Sequence, residues 1–396
     1  MRRLTAILVA TAVVLAGVVP AAAAGATAPT AGDGSAPADA DASADGVQYR
    51  TDGDVPSCEF PFTATDATGT EVTVEERPER VTTLNPSAAQ TMWEIGGEEQ
   101  VVGVSQFALY LDGAETRENV SASGFGVSVE RVVGTEPDLV LAPNSIPVET
   151  VEALRGSGLT VFHVTEQTNV TTVREKTTLI GQLTGNCEGA AEANAWMDAN
   201  VEAAAEATAD EEPVRALYPL GGGYVVNTGT FISTMLEVSG ATNVVGEREF
   251  DGGYPQVNDE VIVELAPEYL VLTDSSAHTV EGEPYASTPA VENGNTVTVD
   301  ANWMNQPAPR SVVYGVRNLT EGFHPDAAAN AEFVARGDVT VESGDGTETA
   351  SPTSDSTSEG ETTADESEPT ETSAAGFGAA VAALAVLTSA LLARRS

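Results

Sequence analysis

One sequence pattern occurs twice in this chain. The first copy reads Asn85 … Glu94-Ile95-Gly96-Gly97 … Val101-Val102-Gly103, then Ser128-Val129-Glu130 … Pro137-Asp138-Leu139-Val140-Leu141. The second reads Asn227 … Glu237-Val238-Ser239-Gly240 … Val244-Val245-Gly246, then Asn258-Asp259-Glu260 … Pro267-Glu268-Tyr269-Leu270-Val271-Leu272. Glu94 to Val101 and Glu237 to Val244 both span seven positions, as do Glu130 to Pro137 and Glu260 to Pro267. A duplicated strand–helix unit predicts two similar lobes, and two facing lobes make a cleft. The plainer alternative is that any two strand–turn–helix units look alike.

Strand and helix signals alternate through both copies, which predicts an α/β fold with mostly parallel sheets. In the first lobe, strands are expected at Arg80–Leu84, Val101–Ser105, Leu139–Ala142 and Thr160–Val164. Helices are expected at Ser87–Ile95, with Ser87 as N-cap, and at Pro147–Arg155. Asn169 to Ala207 is long, helix-forming and free of proline, so it reads as one spacer helix between the lobes, weakened locally at Gly181, Gly185 and Asn186. Pro213 ends it. The second lobe opens at Val214–Pro219. Its further strands are expected at Tyr224–Asn227, Tyr269–Thr273 and Thr296–Val299, with helices at Phe231–Ser239, Asp259–Leu265 and Arg310–Gly322 and a polar loop at Ser275–Pro284.

The ends of the chain do not read as part of this body. Residues 1–24 carry Arg2 and Arg3, a largely apolar run from Leu4 to Val19 and the small-residue site Ala22-Ala23-Ala24, the pattern of a secretory signal; an uncleaved anchor is the alternative. Residues 25–57 are poor in apolar side chains and read as a flexible leader. The lobes then occupy 58–168 and 213–339, joined by 169–212. Residues 340–374, rich in Thr, Ser, Glu and Asp, read as a solvated stalk. Residues 375–396 hold eighteen mostly apolar positions, Gly376 to Ala393, before Arg394-Arg395; at ~1.5 Å each they approach the ~30 Å hydrocarbon core of a membrane. This tail resembles the archaeal sorting signal in which Pro-Gly-Phe precedes an apolar helix and a basic end, although here the tripeptide is Ala375-Gly376-Phe377. A plain transmembrane anchor is the alternative.

Sixty acidic residues stand against sixteen arginines and one lysine, Lys176, for a formal net charge of −43. Self-repulsion on that scale destabilises a compact chain at low salt. It is screened at molar salt, where the Debye length is ~3 Å. Acid excess with lysine nearly absent resembles haloarchaeal proteins. No basic stripe exists to neutralise phosphates, so nucleic acid is excluded as a partner.

Two cysteines, Cys58 and Cys187, are expected to pair once outside the cell, stabilising the fold by ~4 kcal/mol or somewhat more through the long loop they close. Three Asn-x-Ser/Thr sequons, at Asn119, Asn169 and Asn318, suit an exported surface. The three histidines, His163, His278 and His324, lie far apart and outside any His-x-x-x-His pattern, so no metal site is expected. Neither is an enzyme, since no Gly-x-Ser-x-Gly elbow appears.

Several stretches of the chain resemble one family: the ABC-importer substrate-binding proteins that capture vitamin B12, iron-siderophores or haem. Arg80-Val81-Thr82-Thr83-Leu84-Asn85-Pro86-Ser87-Ala88 is similar to that family's first strand-to-helix junction. Val101-Val102-Gly103-Val104-Ser105, Tyr254-Pro255-Gln256-Val257 and Pro307-Ala308-Pro309-Arg310 match further, and the likeness covers roughly 71–325. The resemblance implies two lobes bridged by a single long helix, little motion on binding, and a shallow ligand cleft where strand ends meet. It implies ABC permease and ATPase subunits as partners, a small-molecule ligand, attachment to the membrane through the tail, and a monomer. A corrinoid or iron chelate is then cargo, and no cofactor is implied.

The cleft residues expected on these grounds are Asn85, Ser87, Phe107, Tyr110 and Phe125 from the first lobe. Those from the second are Tyr224, Asn227, Tyr254, Trp303, Met304 and Arg310. Phe125, Tyr254 and Trp303 fall where cobalamin binders of the class carry aromatic contacts, and rings burying ~150–250 Å² each suit a broad flat ligand. Each aromatic is alternatively ordinary packing. Arg310 could clamp an anionic edge or merely neutralise nearby acids. With no first-lobe arginine near the cleft, a corrinoid fits better than a tricarboxylate siderophore. Glu130 and Glu260, at matching helix starts, are the expected permease-docking pair, although the helix dipole alone favours acids there. An adhesive or sensory surface protein is the remaining alternative of another class.

Overall fold

The computed structural model describes residues 58–341 apart from residue 125. The signal, leader, sorting tail and all but the first residues of the stalk lie outside the described residues, as does Phe125.

The chain begins with an antiparallel hairpin that the sequence patterns do not predict, β1 (Phe62–Thr65) and β2 (Glu71–Val74), whose alternating exposure packs Val72 and Val74 onto the first lobe. The first lobe then runs β3 (Val81–Thr83), α1 (Pro86–Glu94), β4 (Val101–Val104), β5 (Glu118–Asn119), α2 (Val129–Gly134), β6 (Leu139–Pro143), α3 (Val148–Gly156) and β7 (Val161–Val164). Its sheet is parallel throughout, in the order β5-β4-β3-β6-β7. Helices on both faces explain why β6 reads as a continuous apolar run, buried at every position.

Asn85, not Ser87, caps α1: its side chain accepts from the Ala88 N–H at 3.0 Å, with Pro86 in the first turn. The asparagine reaches back where the serine, already helical, cannot.

The expected single spacer helix is two helices, α4 (Val170–Thr184) and α5 (Cys187–Thr208). Gly185 adopts φ +73° as the C-cap of α4, a left-handed turn that reverses the chain. Of the two, α5 is the bridge: Ala190 and Ala193 pack in the first-lobe core, Trp196, Met197 and Ala204 in the second. Cys58 and Cys187 form a disulfide (Cα–Cα 5.8 Å) that ties the start of the described chain to the first turn of α5.

The second lobe comprises β8 (Val214–Leu217), β9 (Pro219–Gly221), β10 (Tyr224–Val225), α6 (Phe231–Val238), β11 (Ala241–Asn243), α7 (Asp259–Leu265), β12 (Tyr269–Thr273), α8 (Pro289–Glu292), β13 (Thr296–Val299), α9 (Ala301–Met304), α10 (Pro309–Phe323) and α11 (Pro325–Ala328). Its four-stranded parallel sheet has the order β11-β8-β12-β13. That order matches β4-β3-β6-β7, so the duplicated sequence is a duplicated topology, to which the first lobe adds the edge strand β5. The likeness reaches backbone detail. Glu136 (φ 47°) comes after α2 and Ala266 (φ 43°) after α7, each left-handed and each directly before a proline.

Gly189, in the first turn of α5, lies against the end of α1, where an added Cβ would come within 2.7 Å of the Ile95 carbonyl carbon. Backbone cannot yield as a flexible side chain can. Gly189→Ala should therefore lower unfolding stability by about 1–3 kcal/mol. Gly134→Ala, where the new Cβ meets nothing within 4 Å, should leave it nearly unchanged. Chemical denaturation of both variants in molar KCl checks the contrast.

Candidate functional site

The two lobes meet along the polar face of α1. Ser87, Gln90 and Glu94 are spaced i, i+3, i+7 and so share one side of the helix. The Ser87 hydroxyl donates to the Pro307 carbonyl at 2.9 Å. Gln90 Oε1 accepts from both the Ser311 backbone N–H (3.1 Å) and its hydroxyl (2.9 Å). Ser311 lies in the first turn of α10, whose N-cap residue, Ala308, has no side-chain acceptor. Gln90 thus satisfies, from the other lobe, a helix N–H that α10 leaves open. Glu94 pairs with Arg310. Burial pushes the Glu94 carboxyl upward and the Arg310 and Arg336 guanidiniums pull against that shift.

Beneath this seam lies Lys176, the chain's one lysine, fully buried on α4. Its ammonium donates to Ser87 Oγ at 2.7 Å and to the Pro307 carbonyl, linking both lobes. Burial pushes its pKa down to about 7.

Above the seam, between the lobes, are two adjoining cavities of about 470 and 500 Å³ that share Asn85, Ser145, Asn305 and Gln306. The first-lobe wall is built by loops at the carboxyl ends of parallel strands. The junction after β3 gives Asn85 and, in the first turn of α1, Ser87; the loop after β6 gives Asn144 and Ser145, and that after β7 gives Glu166 and Gln167. From the second lobe come Leu220 in the β9–β10 hairpin, the start of α6, Tyr254, and the stretch from α9 to Pro307. Phe107 (40% exposed) and Tyr254 (51% exposed) offer aromatic surface from opposite lobes. Burial, and secondarily the charge of Glu166, raise the Tyr254 pKa, so its ring meets a ligand as a neutral phenol. Among the described residues no cluster of three His, Cys, Asp or Glu is placed to hold a metal ion.

The sequence profile of the periplasmic binding proteins matches residues 81–302, across both sheets. The chain belongs to that family. It is also 43% identical, over 280 residues, to the cobalamin-binding protein of Halobacterium salinarum, covering 68% of this chain and 75% of that protein. Two solved structures share the fold. The periplasmic vitamin B12-binding protein BtuF of Vibrio cholerae does so with TM-score 0.55 at 21% identity, over 64% of this chain and 99% of that one. The periplasmic heme-binding protein RhuT of Roseiflexus does so with TM-score 0.57 at 22% identity, over 63% and 99%. The protein is therefore a substrate-binding component of the type that serves ABC importers for B12, siderophores and haem, a binding protein and not an enzyme.

In this binding protein five of the eleven cleft residues expected from the sequence line the cavities: Asn85, Ser87, Phe107, Tyr254 and Met304, the last fully buried. Five do not. Tyr110 is shut behind α1, accepting from Gln90 Nε2 at 2.7 Å, and burial pushes its pKa up to about 12. Tyr224 is exposed on the β9–β10 hairpin outside both cavities. Asn227 braces a loop, donating to the Phe250 and Gly252 carbonyls at 3.3 and 2.9 Å. Trp303 packs on Tyr314 of α10 (centroids 5.2 Å apart), which in turn meets Trp196 edge-on at 5.8 Å. Arg310 faces Glu94 in a groove lined by α1 and α5 residues. For all but the exposed Tyr224, a partner within the protein claims the side chain. The wall residues that the sequence analysis does not single out, Asn144, Ser145, Glu166, Gln167, Asn302, Asn305 and Gln306, carry one usable signal. Most lie just past the carboxyl end of a buried strand.

Glu130 and Glu260 are both exposed, each the second residue of its helix, behind Ser128 and Asn258 as N-caps. Asn119 is half-buried and Asn169 exposed, whereas Asn318 sits inside α10 with its Oδ1 buried and unpartnered.

The Lys176 pKa is depressed in the fold from the ordinary ~10.4. Between about pH 7 and pH 10 the unfolded chain therefore holds a proton the native protein has released, and stability should rise with pH by at most ~1.4 kcal/mol per unit. Measured as wild type minus Lys176→Met across pH 6–10, the difference should climb. A flat difference would mean the ammonium stays hydrated.

Proposed function

We propose that this protein captures a corrinoid of the cobalamin kind outside the cell and delivers it to an ABC permease. The observation that carries this reading is the 43% identity to a cobalamin-binding protein. The overlap is longer than either lobe and so draws on both cleft walls. The geometry supports it: two walls held at fixed separation, with aromatic residues on both, Phe107 on one and Phe231 and Tyr254 on the other. Broad, flat, partly apolar cargo matches such a cleft. The protein acts as a monomer tethered by residues 375–396, with 340–374 as its stalk.

Delivery uses Glu130 and Glu260. They hold the same place in both lobes, one lobe for each half of a two-subunit permease, and stand at exposed helix starts where an arginine can reach them.

Titration of the purified protein with cyanocobalamin in molar KCl, followed by absorbance, should show saturable one-to-one binding. Phe107→Ala and Tyr254→Ala should each weaken it about tenfold, while Trp303→Ala should change it less than about threefold. Saturable binding of haem or a ferric siderophore in its place would keep the transport role and change the cargo; binding of none of them would favour adhesion or sensing. The double reversal Glu130→Arg/Glu260→Arg should abolish cellular corrinoid uptake with affinity intact. Loss of affinity in that variant would remove the docking assignment.

A further inference from the structure

The cleft differs in chemistry from the rest of the molecule. In a chain of net charge −43 its two cavities are lined by a single charged side chain, Glu166, and by no Arg, Lys or His. Six carboxamides take the place of charges: Asn85, Asn144 and Gln167 from the first lobe, Asn302, Asn305 and Gln306 from the second. Two are partly engaged. Asn85 caps α1 and donates to Ser145 Oγ at 3.4 Å, and Gln167 donates to the Thr165 carbonyl. The side chains of Asn144, Asn302, Asn305 and Gln306 make no hydrogen bond within the described residues, so each presents two N–H donors and a carbonyl acceptor to the cavity.

A carboxamide is matched by another carboxamide, which returns an acceptor for its donor and a donor for its acceptor. A carboxylate fits the same wall poorly. It accepts only, so the amide carbonyls on the wall stay unpaired. No cation on the wall neutralises it on leaving water, since Lys176, behind Ser87 and Pro307, is already bonded to both, and Glu166 repels it. From this juxtaposition we infer that the cleft selects cargo whose periphery carries neutral amides and rejects the same framework bearing carboxylates. The inference rests on the corrinoid reading and narrows it: the cargo is a corrinoid with amidated side chains, and neither a corrinoid polyacid nor a porphyrin dicarboxylate.

Dicyanocobinamide, which is amidated, and dicyanocobyrinic acid, the heptacarboxylate of the same ring, differ in this respect and both lack the nucleotide loop. Each is titrated against the full protein in molar KCl, where the long-range field of the acidic surface is screened and only close contacts discriminate. Cobinamide should bind at least about a hundredfold more tightly at pH 7. Asn305→Asp should weaken cobinamide about tenfold, and Asn305→Arg should strengthen cobyrinic acid about tenfold; residue 305 is exposed, so both variants are expected to fold. Affinities within a few-fold for the two corrinoids would overturn the inference and leave the corrinoid reading standing. Failure of both corrinoids to bind would overturn the inference and the corrinoid reading together.

Discussion

Everything about the cleft depends on the two lobes being held at one separation, and the seam along α1 does that. Three side chains of one helix face, Ser87, Gln90 and Glu94, each engage the second lobe. Gln90 completes the N-terminus of α10, an end its own lobe leaves uncapped. Separating the lobes would break the Ser87–Pro307, Gln90–Ser311 and Glu94–Arg310 contacts together and hand each group back to water, at a net cost of about 1 kcal/mol for a typical hydrogen bond. With α5 running through both cores, this argues for a rigid pair of lobes, in contrast to binding proteins that close about a flexible hinge.

The seam also explains where the charge sits. The acids cover the outside, whose repulsion salt can screen. The interface uses a few cations, Arg310, Arg336 and Lys176, each committed to a partner. Lys176 is the one lysine in the chain, and its burial between lobes is the opposite of a surface lysine's usual role. With these cations spent on holding the lobes, none faces the cleft, and the wall above the seam is left to amides and rings. Rigidity and cargo chemistry are in this sense one arrangement.

Much is legible in the sequence because it rests on local rules. Tyr269–Thr273, Thr296–Val299 and Asp259–Leu265 form as expected, bounded by the apolar runs and caps that define them. The break in the spacer is different, although Gly185-Asn186 marks its place. Whether a glycine merely weakens a helix or reverses it depends on whether the two halves find each other, and α4 and α5 do.

The duplication, the strand–helix alternation and the residues after each strand are properties of the sequence itself, and they determined the fold, the presence of a cleft and its place at the strand ends. What the tertiary structure alone decided is which side chains the cleft keeps. Trp303 and Arg310 have the right chemistry and lie close in sequence to cleft residues, yet Tyr314 and Glu94 take them. Asn305 and Gln306, unremarkable in sequence, remain facing the cavity. The reason is physical: a polar or aromatic side chain goes to whichever partner the packed elements bring nearest, and that partner is set for Arg310 by α10 meeting α1, far back along the chain, and for Trp303 by α9 folding against α10.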